Sequence, residues 1–301
     1  MRWISGIGYA VRAIIIDSLV WLSQTISGKA NLEYILDQKS PTPSAKTLKI
    51  EEIFRNHSNT KLRNLEWDSG EETEEAEGLL VDINENEKRI DFSRRLADKM
   101  RQIKGYQKLC DEVEKHRLVV YDNANPEHEK KLMRLWKLMK TDEELKSRKT
   151  NQWQSIGFQG DDPATDFRGM GMLGLDELLF IAKYDMDNCK RLFLISHHPV
   201  IGFPYAICGI TITALTRDLL RSGLLKNHFY NALHGKPNMD NFHQVYCRIF
   251  ILFCEFWEKE HPETIMDFNP IKAKFVERLE AYLKRPNANL FHATLNDIIL
   301  Y

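Results

Sequence analysis

Apolar side chains recur at helical spacing along most of this chain. Between residues 89 and 117 they are Ile90, Leu96, Met100, Ile103, Leu109 and Val113, with Gly105 and Tyr106 as a joint, which predicts two helices. Asn125 followed by Pro126 supplies a capping side chain and a proline at the first helical position, and Leu132, Leu135, Trp136 and Met139 then mark one buried face. Further helices are predicted over 173–184, 186–194, 204–221, 239–258 and 271–283, with Gly223 placed to stop one of them. The densest core signal is Phe242, Val245, Tyr246, Ile249, Phe250, Phe253, Phe256 and Trp257, where spacings of three and four put large aromatics on one broad face. The expected class is all-α.

Three stretches break the pattern. Pro41-Thr42-Pro43-Ser44 is expected to interrupt helix and strand alike, and the acidic run over 66–77, with Gly70 within it and Gly78 after it, predicts a solvated loop. From 141 to 171 the helical period vanishes while Gly, Asp and Pro accumulate, and a loop that long inside a compact domain usually has a functional reason. At the N-terminus, Arg2 and Arg12 precede an apolar stretch over 13–22 that Asp17 and Ser18 interrupt. A membrane-spanning helix needs about 18 or more apolar residues, so this one is too short. Three readings stand for residues 1–26: a membrane-surface helix with Trp3 and Trp21 at headgroup level, a signal-like segment, or a helix docked on the rest of the chain.

Composition narrows the function classes. With 301 residues, 43% hydrophobic and 28% charged, the chain has the make-up of an ordinary globular protein, and a net charge of -1 leaves no basic footprint for nucleic acid. Five cysteines, Cys110, Cys189, Cys208, Cys247 and Cys254, form no CxxC pair and sit within apolar helical patterns, as reduced thiols facing the cytosol do. His128-Glu129 lacks the second histidine of H-E-x-x-H, His197-His198 has no ligand partner nearby in sequence, and neither a nucleophile elbow nor a P-loop is found, so no metal and no nucleotide held by this chain alone are expected. Residues 169–174, GMGMLG, match G-x-G-x-x-G letter for letter. The Asp- and Pro-rich residues before them cannot form the strand that a dinucleotide fingerprint must leave. Glycines there would instead let backbone approach another surface closely, or hold a loop in a fixed shape.

The informative segment is residues 153–171, WQSIGFQGDDPATDFRGMG. It sets a single arginine, Arg168, among Asp161, Asp162 and Asp166 in a loop bracketed by helices. Residue types alone favour a structural brace, the guanidinium tying one of those aspartates into a rigid turn. Trp153 and Phe158 are expected to anchor the loop from below, and Asp161 and Asp166 to shape it rather than act as bases.

The pattern W-x-x-I-G-F-Q-G-x-D-P-x-T-D-F-R-G-x-G resembles the signature of the ELMO domain across that whole segment. The resemblance continues through Leu173, Leu175, Leu178-Leu179, His198-Pro199, residues 202–207, Gly209-Ile210 and Phe229-Tyr230-Asn231. Residues 121–129, YDNANPEHE, are similar to the run preceding the domain in the short ELMO-domain-containing proteins. About residues 105–285 are covered. The resemblance implies a helical ELMO domain over 121–290; ahead of it the residue pattern itself predicts a hydrophobic N-terminal helix and linker over 1–40 and a helical extension with an acidic loop over 41–120. The resemblance also implies activation of GTP hydrolysis on Arf and Arf-like small GTPases. Arg168 of D-F-R-G would be the catalytic arginine, and Trp153, Gly157, Phe158, Gln159, Gly160, Asp161, Pro163, Asp166, Phe167, Gly169 and Gly171 would bind the partner or shape the loop. No cofactor of its own is implied, since the partner holds GTP and Mg2+. The expected setting is cytoplasmic; peripheral contact to an intracellular membrane goes with the surface-helix reading of residues 1–26, one of the three given above. The alternative within the same family is a scaffold that binds a GTPase or exchange factor without accelerating hydrolysis.

Overall fold

The computed structural model of the protein describes residues 29–37, 39, 42–56 and 87–300, and every regular element among them is helical. The all-α expectation therefore holds for the described residues. The apolar N-terminal stretch and the acidic run over 66–77 lie outside them. The described residues divide into two compact units, one comprising those up to Lys104 with Leu233–Lys236, the other Gly105–Ala232 with those from Pro237 onward.

In the first unit, helix α1 (Lys29–Asp37) packs on α2 (Pro43–Arg55), burying Leu32, Leu36, Ile50 and Phe54. The interruption expected at 41–44 falls between α1 and α2, and Thr42 and Pro43 also start α2. Thr42 accepts from the Ala45 amide at 3.4 Å as the cap, and Pro43 takes the first helical position, where its missing N–H costs nothing. Within the same unit the buried Thr47 hydroxyl donates to Gln102 Oε1 at 2.9 Å, and Gln102 Nε2 donates to the Leu233 carbonyl at 2.6 Å.

Helix α3 (Glu87–Arg117) is continuous, which corrects the two helices expected over 89–117. A glycine inside a helix costs about 1 kcal/mol relative to alanine. Ile103 and Leu109 on either side of Gly105 are fully buried, and each such residue contributes about 1.5–3 kcal/mol, so the helix runs through.

The second unit is built around α5 (Gly171–Tyr184), which packs against α4 (Pro126–Met139), α6 (Met186–Ser196), α7 (Tyr205–Arg221) and α9 (Met239–Glu260). A helix enclosed on several sides must be apolar nearly all round, and Met172, Leu173, Leu175, Leu178, Leu179, Ile181 and Ala182 meet that need. Glu177 is the exception. Fully buried, it contacts His243 Nδ1 at 2.8 Å, and burial pushes its carboxyl above the usual range. The aromatic face expected on 239–258 is buried as α9. Gly223 takes φ +83 just after α7, the left-handed stop its position suggests. The remaining helices are α8 (Lys226–Ala232), α10 (Phe268–Leu283) and the short α11 (Leu295–Ile299).

Candidate functional site

Two short turns organise the long loop between α4 and α5. Residues Asn151–Ile156 and Pro163–Arg168 each form a six-residue 3-10 helix. Thr150 accepts from the Gln152 amide at the start of the first, and Asp162 accepts from Ala164 at the start of the second, with Pro163 at its first position. The Thr150 amide donates to the Asp161 carbonyl at 2.9 Å, which joins the two turns. The absence of an α-helical period over 141–171 is thus real, but the segment is folded. Turns with three residues per turn and two turns' length leave no 3.6-residue signature to find.

Beneath the turns lies a line of rings. Trp136 of α4 meets Trp153 edge-to-face at 5.2 Å, Trp153 meets Phe158 at 5.7 Å, Phe158 meets Phe167 at 5.7 Å, and Phe167 stacks on Tyr121 at 5.9 Å. The Trp153 indole donates to the Arg148 carbonyl at 2.8 Å, so its one polar group is satisfied while its relative exposure is 0%. Trp153 and Phe158 therefore sit under the loop as expected, and Pro163 and Phe167 are buried with them.

Backbone contacts clamp the loop at two glycines. Gly157 has φ +87, and a Cβ there would lie 2.2 Å from the Tyr205 amide nitrogen at the start of α7. Its carbonyl accepts from the Ile207 amide at 3.2 Å. Gly171 has φ +53, and a Cβ would lie 2.2 Å from the Arg117 carbonyl, while the next amide, that of Met172, donates to the Val119 carbonyl at 2.8 Å. Of the 169–174 glycines, Gly171 makes the close approach to another segment's backbone, and Gly174 is packed against side chains, where a Cβ would meet Met170 Cβ at 3.2 Å. Gly169 has ordinary helical backbone, and a Cβ on it would meet nothing within 4 Å, as is true of Gly160.

The brace anticipated for Arg168 is made by another arginine. Arg148 donates through Nη1 and Nη2 to the two oxygens of Asp162, each at 3.0 Å, and Lys149 Nζ lies 2.9 Å from Asp162 Oδ2. Burial alone would raise the Asp162 carboxyl, but the Lys149 and Arg148 hydrogen bonds outweigh it and hold the group below its ordinary value. One side chain thus caps the second turn and ties it to the segment before the first. Asp162→Ala is expected to lower stability by about 2 kcal/mol, from a lost cap and an unpaired guanidinium, read as a lower urea midpoint at constant slope.

Arg168 itself ends the second turn, exposed, with Nε donating to the Thr165 carbonyl at 2.7 Å. Among the described residues it has no ion pair. Asp166, half-buried, accepts from the Gln159 amide at 3.0 Å and closes the loop between the turns; burial raises its carboxyl despite that bond and the nearby Arg168 charge. Gln159 and Asp161 are exposed, Asp161 contributing its carbonyl as described above. The residues named from sequence therefore fall into a buried floor of Trp153, Phe158, Pro163 and Phe167, two backbone clamps at Gly157 and Gly171, an exposed rim of Gln159, Asp161, Arg168 and Gly169, and the half-buried Gly160 and Asp166 between them.

Beside that rim is a cluster the sequence did not flag. Arg117, at the end of α3, donates through Nη1 to the Gly169 carbonyl at 3.2 Å and through Nε and Nη2 to Glu114 Oε1 at 3.0 and 2.6 Å. Glu114 Oε2 receives Arg217 Nε at 2.8 Å and lies 3.5 Å from Arg221 Nη1. The Arg117 hydrogen bond, aided by Arg217 against some desolvation, pulls the Glu114 carboxyl down to about 2 from an ordinary 4.5. A depressed carboxyl stabilises fully above its unfolded value and loses that contribution as pH falls toward its folded one. Glu114→Gln should accordingly flatten the fall in melting temperature between about pH 4.5 and 2, measured by thermal scans across that range. Only the i,i+3 spacing of Glu114 and Arg117 was visible in sequence; Gly169 and Arg217 are distant in the chain. Next to the cluster, Leu118 and Val120 are 61% and 73% exposed.

Comparison with known proteins settles the lineage. Residues 111–272 match the model of the ELMO/CED-12 family, and the chain is 38% identical to mouse ELMO domain-containing protein 2 over 272 residues, 90% of this chain and 92% of that one. The chain belongs to the ELMO/CED-12 family. It is also 36% identical to human ELMO domain-containing protein 1 over 302 aligned positions, covering 90% of this chain and 89% of that protein. With ELMO domain-containing protein B of Dictyostelium discoideum it shares 36% identity over 184 residues, 61% of this chain and 63% of that one. No solved structure matches. The loop carrying Arg168 lies inside the matched ELMO region, and no helix among the described residues is long and apolar enough to cross a membrane.

Proposed function

We propose that this protein activates GTP hydrolysis on Arf-family or Arf-like small GTPases by supplying Arg168 in trans. The observation that supports this reading most is the contrast between two arginines of one loop. Arg148 is consumed by Asp162, whereas Arg168 is exposed at the end of a turn fixed from below and has no carboxylate partner among the described residues. A guanidinium kept out of internal ion pairs is available to an external anion.

Phosphoryl transfer to water depends on positioning and on positive charge where the transferred group and leaving oxygen carry negative charge. Arginine suits that task, being always protonated and able to hold two phosphate oxygens with one planar fork. The partner holds GTP and Mg2+ and positions the attacking water, so the protein catalyses no reaction of its own and needs no cofactor. Asp161 and Asp166 shape the loop, Asp166 through the Gln159 amide. The protein acts in the cytoplasm, with residues 1–26 providing peripheral contact to an intracellular membrane surface.

A panel of purified Arf-family GTPases, each loaded with GTP and mixed with the full-length protein in single-turnover assays, tests the proposal. Acceleration on at least one member is the expected result. Binding with no change in rate on every member would favour the scaffold alternative.

A further inference from the structure

We propose that Arg117 is a positioning residue for Arg168, a tether that fixes the backbone from which the Arg168 side chain departs; this rests on reading Arg168 as the residue offered to the partner. Three contacts converge on the four residues after Arg168. The Arg117 side chain holds the Gly169 carbonyl at 3.2 Å. The Arg117 carbonyl occupies the space a Gly171 Cβ would need, at 2.2 Å, and the Val119 carbonyl takes the Met172 amide at 2.8 Å. On the other side, Asp162 and Arg148 secure the start of the same turn. The arginine-bearing turn is thus tied at both ends, and the end nearer Arg168 is tied to the terminus of α3.

Arg117 is well made for this. Its Nε and Nη2 both go to Glu114 Oε1, which leaves Nη1 directed at Gly169, and its side chain is only 22% exposed. Glu114 is in turn held by Arg217 of α7, so the tether is anchored to two helices rather than to a mobile side chain. A planar guanidinium gripped along one edge has lost most of its rotamer freedom, so its remaining bond fixes direction at small entropic cost. With those donors engaged, Arg117 is not a second finger. Its effect on a reaction passes through the backbone of Arg168, and a shift of about 1 Å in a reacting group can cost about 100-fold in rate.

The test measures single-turnover hydrolysis on the responsive GTPase against rising concentrations of the full-length protein. Arg117→Ala is expected to lower the saturating rate about 10- to 100-fold, with the half-saturating concentration within about threefold of wild type. Arg117→Lys should recover part of that rate, because an ammonium can still donate to the Gly169 carbonyl. Combining Arg117→Ala with Arg168→Ala should give no further loss beyond Arg168→Ala, as expected of residues acting through one group. Hydrogen exchange of the amides of residues 169–172 should quicken in Arg117→Ala while α5 and α9 keep their protection. A saturating rate within threefold of wild type, multiplicative losses in the double variant, or unchanged exchange at 169–172 would each overturn the proposal. If the wild-type protein accelerates no GTPase, the finger reading fails and the positioning role falls with it. Failure confined to the Arg117 variants leaves the finger standing.

Discussion

On the proposed function, replacing Arg168 by alanine is expected to remove about 10³- to 10⁵-fold of the acceleration of GTP hydrolysis, or about 4 to 7 kcal/mol of barrier, while the protein keeps its fold. The fold should survive because the side chain is exposed and its hydrogen bond, from Nε to the Thr165 carbonyl, closes a local turn that Asp162 and Pro163 already start. Arg168→Lys should fall nearly as far, since a lysine keeps the charge and loses the two-pronged geometry. The measurement is the single-turnover rate at saturating protein, with melting temperature recorded alongside. An alanine variant that stays folded and retains activity within about tenfold leaves little more than about 1.4 kcal/mol for the residue and removes it from the catalytic role.

Gly157→Ala should have a large effect on stability. The left-handed backbone at φ +87 costs a residue with a side chain about 1–2 kcal/mol. The methyl would also lie 2.2 Å from the Tyr205 amide nitrogen and 2.6 Å from the Pro204 carbonyl carbon, so backbone at the start of α7 must move, which costs a further 1–3 kcal/mol or so. A total loss of about 3 kcal/mol or more is expected in urea denaturation. Gly160→Ala, three residues along the same loop with open space around it, serves as the matched control and should change stability by less than about 0.5 kcal/mol. If both substitutions prove equally mild, Gly157 is not the clamp between the loop and α7.

These two substitutions also show where the sequence was informative. The helices of the second unit were legible because each buries a stripe at helical spacing, and α9 was clearest because its stripe is aromatic. The joint expected at Gly105 failed because a single glycine weighs less than the buried residues flanking it. The break at 41–44 was legible, but that Pro43 also opens the next helix depends on its position behind a capping threonine. In the loop, the buried ring floor followed from Trp153 and Phe158 themselves. Which arginine braces Asp162 did not, because Arg148 and Arg168 are both close in sequence and only the folded path brings one of them to the carboxylate. Asp162 followed by Pro163 did carry a capping signal of the kind seen at Asn125-Pro126. Arg117 carried none, since its bond to Gly169 spans 52 residues.

Trp136 and Trp153 touch edge-to-face at 5.2 Å, and each indole N–H is bonded at 2.8 Å, to the Glu143 and Arg148 carbonyls respectively. Two chromophores locked at one distance and one angle absorb as a coupled pair, and the chiral signal of such a pair vanishes when fixed packing is lost. The segment bearing Arg168 therefore contributes a coupled tryptophan pair to the near-ultraviolet circular dichroism, beside the chain's other aromatic residues, and the difference spectrum between a variant and wild type reports whether the loop is seated.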